Sequence, residues 1–314
     1  SYIYGGGKGY EGFAAAGRVS GTTAIEVSGG TAYGSVYGGG ELGFVKGAVN
    51  VKVTGGTITK DVYGGGALAN TNTENWNGTT LVSPYHEEIG LSAGTSVVTG
   101  LYTRTGSAEP YTYTEITTAN TPAASGTTYY RLTDTKVKLT GGTINGDAYG
   151  GGLGRKEETG VTAVEAMVYG DVLVELNGTT VKSTDSQTNE DVFTPTPITG
   201  KGCIVNRVFG CNNVNGTPKG EVTVHVYATQ SSVDGKGTVS DKADKNTNTY
   251  DLQAVYGGGN QAEYYPVRAD DTNAVVHTNV IIDGCTQTSI QNVYGGGNAA
   301  STPATSVTIN GAYE

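Results

Sequence analysis

Asp61, Asp147 and Arg207 each stand two residues before an aromatic residue in a motif that recurs along the chain. If copies of the motif stack as strands, the two aspartates lie about 4.8 Å apart, one strand spacing. Carboxylates that close repel, so one is held protonated, or they share a hard cation such as Ca2+. A carboxylate pair is also what glycoside hydrolysis requires. Asp61, Asp147 and Arg207 are therefore the candidate catalytic set, and Asp61 and Asp147 the candidate metal ligands. The plainer reading is turn chemistry, since Asp follows the turn pairs Thr59-Lys60 and Asn145-Gly146. Ala254 and Asn292 fill the same place in other copies. No cofactor is expected; Ca2+ on the two aspartates is the alternative.

The aromatic residues form a second candidate. Tyr4, Tyr37, Tyr63, Tyr149, Tyr256 and Tyr294 each open a Tyr-Gly-Gly-Gly run, and Phe209-Gly210-Cys211-Asn212 is a degenerate copy. Stacked, they make a stripe about 30 Å long on an outer face. Exposed tyrosine faces pack on sugar rings, which makes Tyr37, Tyr63, Tyr149, Tyr256 and Tyr294 candidate ligand contacts. The alternative is a ladder of rings that only covers the sheet.

Other motifs carry less. Gly38-x-Gly40-x-x-Gly43 matches a dinucleotide fingerprint, but no helix opens after it. Residues 5–10 lack the frame of a phosphate-binding loop. His86, His225 and His277 have no Cys or Ser partner at a recognisable spacing, so no triad is read. Cys203, Cys211 and Cys285 show no metal-binding spacing and lie beyond disulfide reach of one another in a stacked repeat. They are expected to be free, buried thiols.

The elements that position these residues come from a two-part repeat. Ile25-Glu26-Val27-Ser28-Gly29-Gly30 begins twelve residues before Tyr37, and Val51-Lys52-Val53-Thr54-Gly55-Gly56 twelve before Tyr63. Val137-Lys138-Leu139-Thr140-Gly141-Gly142 begins twelve before Tyr149. Looser copies start at Val174, Val222 and Val280. Two short runs of period 2, bounded by glycine corners, are too little for a four-stranded propeller blade. They suit one turn of a parallel β-helix. Val51, Val53, Ile58 and Val62 then point inward and stack on their equivalents. Glu26, Lys52, Lys138, Glu175 and Thr223 point outward as a mixed-charge face with weak cross-strand ion pairs.

The composition agrees. With 51 Gly, 21 Tyr and one Met in 314 residues, the chain favours short strands and turns over helices. The formal net charge of −10 repels phosphate backbones, so no nucleic-acid partner is expected. No apolar run is long enough to span a membrane.

Residues 1–314 read as one all-β domain, a single-stranded parallel β-helix of about seven rungs with long loop insertions. Residues 67–135 form a polar insertion with the alternation of a β-hairpin arm, and residues 228–250 an exposed loop. The chain starts and stops in mid-repeat without polar caps. This reads as a piece of a longer solenoid, or as ends that pair with another copy.

The Val-x-Val-x-Gly-Gly and Val-Tyr-Gly-Gly-Gly units resemble those of right-handed parallel β-helix proteins of bacterial cell surfaces, including adhesin-like passenger domains. The resemblance covers most of the chain outside the inserts and is specific to architecture. It implies a right-handed coil and an extracellular or cell-surface location. It also implies a non-enzymatic stalk or adhesion role, with a glycan or a host or bacterial surface protein as partner. The same architecture carries polysaccharide lyases and hydrolases, which is the alternative for the carboxylate column. End-to-end assembly is the third reading.

Overall fold

A computed structural model describes residues 1–13, 15–88, 91–97, 100–108, 111–117, 121–188, 191–198, 202–229, 250–266, 277–283 and 288–311. The expected loop at 228–250 falls largely outside them, as does Cys285. Among the described residues the chain is all-β, and its one helical element is a single 3-10 turn, Thr73–Asn75.

Two parallel sheets of seven strands dominate, and in each the strands follow chain order. The longer-stranded sheet is β2 (Thr23–Ala32), β4 (Val49–Ile58), β12 (Thr135–Ile144), β14 (Val172–Leu176), β18 (Val222–Val226), β20 (Thr278–Asp283) and β22 (Thr305–Asn310). The other is β1 (Ile3–Tyr4), β3 (Val36–Tyr37), β5 (Val62–Tyr63), β13 (Ala148–Tyr149), β17 (Arg207–Phe209), β19 (Leu252–Tyr256) and β21 (Ile290–Tyr294). Each repeat thus gives one strand to each sheet.

The local sequence explains this shape. Val51 and Val53 are two apart and share a face, but Ile58 is an odd number of residues on and would face away in a regular strand. All three are at most 1% exposed. The change of side is made at the Gly-Gly pair, where the ladder between β4 and β12 shifts register. Gly56 and Gly142 sit there at φ 79° and 80°, a left-handed conformation that glycine adopts without strain. Valines and isoleucines from both sheets fill one continuous core. The hydroxyl of buried Thr23 crosses between the sheets and donates to the Gly38 carbonyl at 2.8 Å.

The register confirms the repeat alignment at Val51–Val137, Lys52–Lys138 and Val62–Ala148. One position differs. Glu175 pairs with His225, whereas Thr223 pairs with Leu173. The slip is two residues, one pleat period, so either alignment buries valines and the hydrophobic pattern cannot distinguish them.

Among the described residues, two excursions from this frame carry strands of their own. Residues 67–135 carry a four-stranded antiparallel sheet of β6 (Tyr85–Glu87), β11 (Tyr129–Leu132), β8 (Leu101–Thr105) and β9 (Thr112–Glu115), more than a single hairpin. A two-stranded pair, β7 (Ser96–Val97) with β10 (Thr121–Pro122), lies in the same segment. A second excursion is the hairpin of β15 (Gly178–Thr184) and β16 (Asp191–Pro197). Each is rooted by a fully buried asparagine with left-handed backbone, Asn72 at φ 55° and Asn177 at φ 58°. Asn72 donates to the Gly47 and Asp134 carbonyls at 3.0 and 2.9 Å and accepts from Thr135 Oγ1 at 2.7 Å. Asn177 accepts the Cys203 N–H at 2.7 Å and donates to the Ala228 carbonyl at 3.2 Å. Each side chain closes the neck of its excursion and satisfies backbone groups that the sheets leave unpaired.

Candidate functional site

The carboxylate column forms where the spacing places it. Asp61, Asp147 and Arg207 precede the paired residues Val62, Ala148 and Val208 on three neighbouring strands. The two aspartates are linked through backbone, the Asp147 N–H donating to Asp61 Oδ1 at 2.9 Å. Arg207 clamps Asp147 from the next strand, Nε to Oδ1 at 3.1 Å and Nη2 to Oδ2 at 2.6 Å. Asn206 Nδ2 adds a donor to Oδ1 at 3.2 Å, and the Tyr149 hydroxyl one to Oδ2 at 3.4 Å. Both carboxylate oxygens of buried Asp147 are thus occupied by protein donors. The hydrogen bonds it donates to Asp147 hold the Arg207 guanidinium above its ordinary pKa. The guanidinium also lies 5.2 Å from the Phe209 ring centroid, a cation–π contact. Arg207 matches the charge of Asp147, so a cation would have to displace it. Among the described residues no group of three or more His, Cys, Asp or Glu side chains gathers as metal ligands.

The aromatic residues lie on the face opposite the valines and form one continuous column. Ring centroids are 5.1 Å apart for Tyr4–Tyr37, 4.7 Å for Tyr37–Tyr63 and 4.9 Å for Tyr63–Tyr149. The column continues through Phe209 and Tyr256 to Tyr294, every pair within 12° of parallel. Strand spacing and ring-stacking distance coincide, so in-register aromatics stack face to face. The column is not the open stripe that alternation suggests. Tyr37, Tyr63, Tyr149, Phe209 and Tyr256 are buried, packed with Ala67 and Leu153, while Tyr294 is 44% exposed. Each inner ring has both faces taken by neighbouring rings, and no face remains for a sugar. Burial is the main reason the phenols resist ionisation: Tyr37 is pushed up to about 12, and Tyr63 and Tyr149 further, with Asp61 and Asp147 adding repulsion.

An asparagine row runs beside the rings. Asn298 donates to Asn260 at 2.8 Å, Asn260 to Asn213 at 2.9 Å, and Asn213 to the Tyr63 hydroxyl at 2.7 Å. The residues after the glycine triplets therefore carry their own cross-strand hydrogen bonds. Their positions relative to the triplet could have shown this in the sequence.

A further cluster centres on His225, which is 9% exposed. Its Nε2 meets Asp283, whose other oxygen accepts from Asn310 at 2.9 Å. Its ring stacks on Tyr227 at 3.8 Å, and the Tyr227 hydroxyl donates to Glu175 at 3.0 Å. The outward face also carries the ion pairs Lys52–Glu26 at 3.1 Å and Lys138–Glu175 at 3.6 Å. Cys203 and Cys211 are free and buried, and burial pushes the Cys203 thiol up to about 12.

Comparison with known proteins adds no identity: no family model, no curated protein and no solved structure matches the chain. No helix among the described residues is long and apolar enough to cross a membrane.

Proposed function

We propose that the chain is a segment of a single right-handed parallel β-helix that acts as a rigid, non-enzymatic stalk or adhesion module of a bacterial cell-surface protein. The observation that carries this reading is the unbroken chain order of both seven-stranded parallel sheets, with each repeat contributing to both. A frame of that kind lends its neighbour a core, adds length in proportion to repeat number and holds excursions at fixed positions. The charged and aromatic columns serve it as internal bracing. Asp147 spends its acceptors on Arg207, Asn206 and Tyr149, and the inner tyrosines spend their faces on one another. Contact with a partner falls to the excursions instead.

Protease treatment of intact cells that produce the protein tests the location. Loss of the chain from intact cells, detected with an antibody, is the expected result; survival until lysis overturns it. Cleavage of a uronate polymer that disappears in Asp147→Asn would overturn the non-enzymatic role.

A further inference from the structure

The antiparallel sheet of the first excursion stands beside β4 and β12 and leaves a cleft of about 570 Å3 between them. That volume is within the range of small-molecule sites, about 300–1,000 Å3. Asn50, Asp134 and Lys136 line one side, and Tyr102, Glu115 and Arg131 the other. All of these but Asp134, which directly precedes β12, are on strands. Asn50 and Lys136 are register partners across β4 and β12. Tyr102 pairs with Glu115 on β9 and with Tyr130 on β11, and its ring meets Tyr85 edge-on at 5.0 Å.

The charges of the lining restrict the ligand. Arg131 Nε lies 3.0 Å from Glu88, and its guanidinium also hydrogen-bonds the Thr22 hydroxyl. Lys136 lies 3.0 Å from Asp134. Both cations are matched, so an anionic ligand would have to break an ion pair. Glu115 makes no ion pair among the described residues and adds repulsion. What the cleft offers is a held aromatic ring surrounded by oriented hydrogen-bonding groups. Carboxylates and amides accept hydroxyl protons, and the C–H face of a sugar ring packs on an aromatic face.

We propose that this cleft binds a short neutral oligosaccharide, one ring against Tyr102 and its hydroxyls hydrogen-bonded to Asn50, Glu115 and Asp134. Asp134 is 7% exposed, and burial raises its carboxyl above the ordinary range against the pull of Lys136. It is thus a poor partner for an added anion and a good one for a hydroxyl. The proposal depends on the stalk-and-excursion reading only for where on the cell the sugar is met.

The test is calorimetric titration with maltotriose, cellotriose and mannotriose as neutral probes, trigalacturonate as an anion and a glucosamine trimer as a cation. Saturable binding of at least one neutral probe is expected, with no binding of trigalacturonate. Tyr102→Ala should weaken it about tenfold, equivalent to about 1.4 kcal/mol. Glu115→Gln, on an exposed side chain, should weaken it several-fold without loss of fold, and it decides the matter if Tyr102→Ala unfolds. Tyr33→Ala, at an exposed ring outside the cleft, should change nothing. Absence of binding by every neutral probe, preference for either charged probe, or binding unchanged in Glu115→Gln overturns the proposal. A chain exposed on cells that binds no sugar loses the cleft and keeps the stalk; a chain that binds sugar but stays inside cells does the reverse.

Discussion

Arg207 grips Asp147 across neighbouring strands with two hydrogen bonds, Nη2 to Oδ2 at 2.6 Å being the shorter. The two partners differ in exposure. The Arg207 side chain is 27% exposed and that of Asp147 9%.

That difference makes the two deletions unequal. Arg207→Ala leaves a buried carboxylate without its cation and should cost about 3 kcal/mol, the lower end for breaking a buried pair. Asp147→Ala leaves a guanidinium that can turn to water, and should cost less. Urea unfolding of both variants checks the order; equal losses would mean that the clamp is already solvated.

The first glycine of each triplet stands against the next strand. A Cβ on Gly64 would fall on the Gly150 carbonyl oxygen, nearer than real Cβ atoms approach, and Gly38, Gly150, Gly210 and Gly257 repeat the pattern. Gly64→Ala should therefore lower stability by about 3 kcal/mol through overpacking. Gly29→Ala meets open space and should stay within about 0.5 kcal/mol of the parent. Thermal melts of the pair separate close approach from a general intolerance of alanine.

Position within the aromatic column should set the loss on truncation. Tyr149 lies between Tyr63 and Phe209 and is 1% exposed, so Tyr149→Ala should cost about 3–5 kcal/mol. Tyr294 stacks on Tyr256 and is 44% exposed; Tyr294→Ala should stay within about 1 kcal/mol. Similar losses at both sites would show that neither burial nor stacking within the column sets the loss.

Alkaline pH should weaken the fold in a defined window. Burial raises the Tyr37 phenol from 10.0 to about 12, so between those values the folded state keeps a proton that the unfolded chain gives up. The stabilisation is complete below pH 10 and is lost as pH rises towards 12. Tyr37→Phe should flatten the fall in denaturation midpoint across that interval and remove one late step from the 295 nm tyrosinate titration. A midpoint curve identical to the parent's would place Tyr37 in water.

Most of the frame was legible because its signal is periodic. The twelve-residue offset between Val-x-Val and Tyr-Gly-Gly-Gly becomes the passage from one sheet to the other, and Asp61, Asp147 and Arg207 line up because the excursions add residues outside the strands. What failed to show has physical causes. Alternation gives Tyr63 its side of the strand, but the cover on that side comes from Ala67 and Leu153, which follow the glycine triplets at a place that Glu41, Asn213, Asn260 and Asn298 fill with polar side chains in other copies. The Val-x-Val pattern puts Thr223 two residues from the position that pairs with Glu175, because valines recur at two. The cleft beside Tyr102 joins residues of an antiparallel excursion to strands on both sides of it in sequence, and no spacing rule links them. The β15–β16 hairpin, Gly178–Thr184 with Asp191–Pro197, is mostly threonine and other polar residues, so no period-2 apolar signal marks it.

Asn72 and Asn177 bear on how such a chain can diversify. Each ties off the base of an outgrowth with its own amide, so the backbone groups left open at that point are satisfied whatever the outgrowth contains. The appended segment can therefore be exchanged while the two sheets keep their sequence, and a foreign loop joined at either asparagine would start from a neck whose backbone is already hydrogen-bonded.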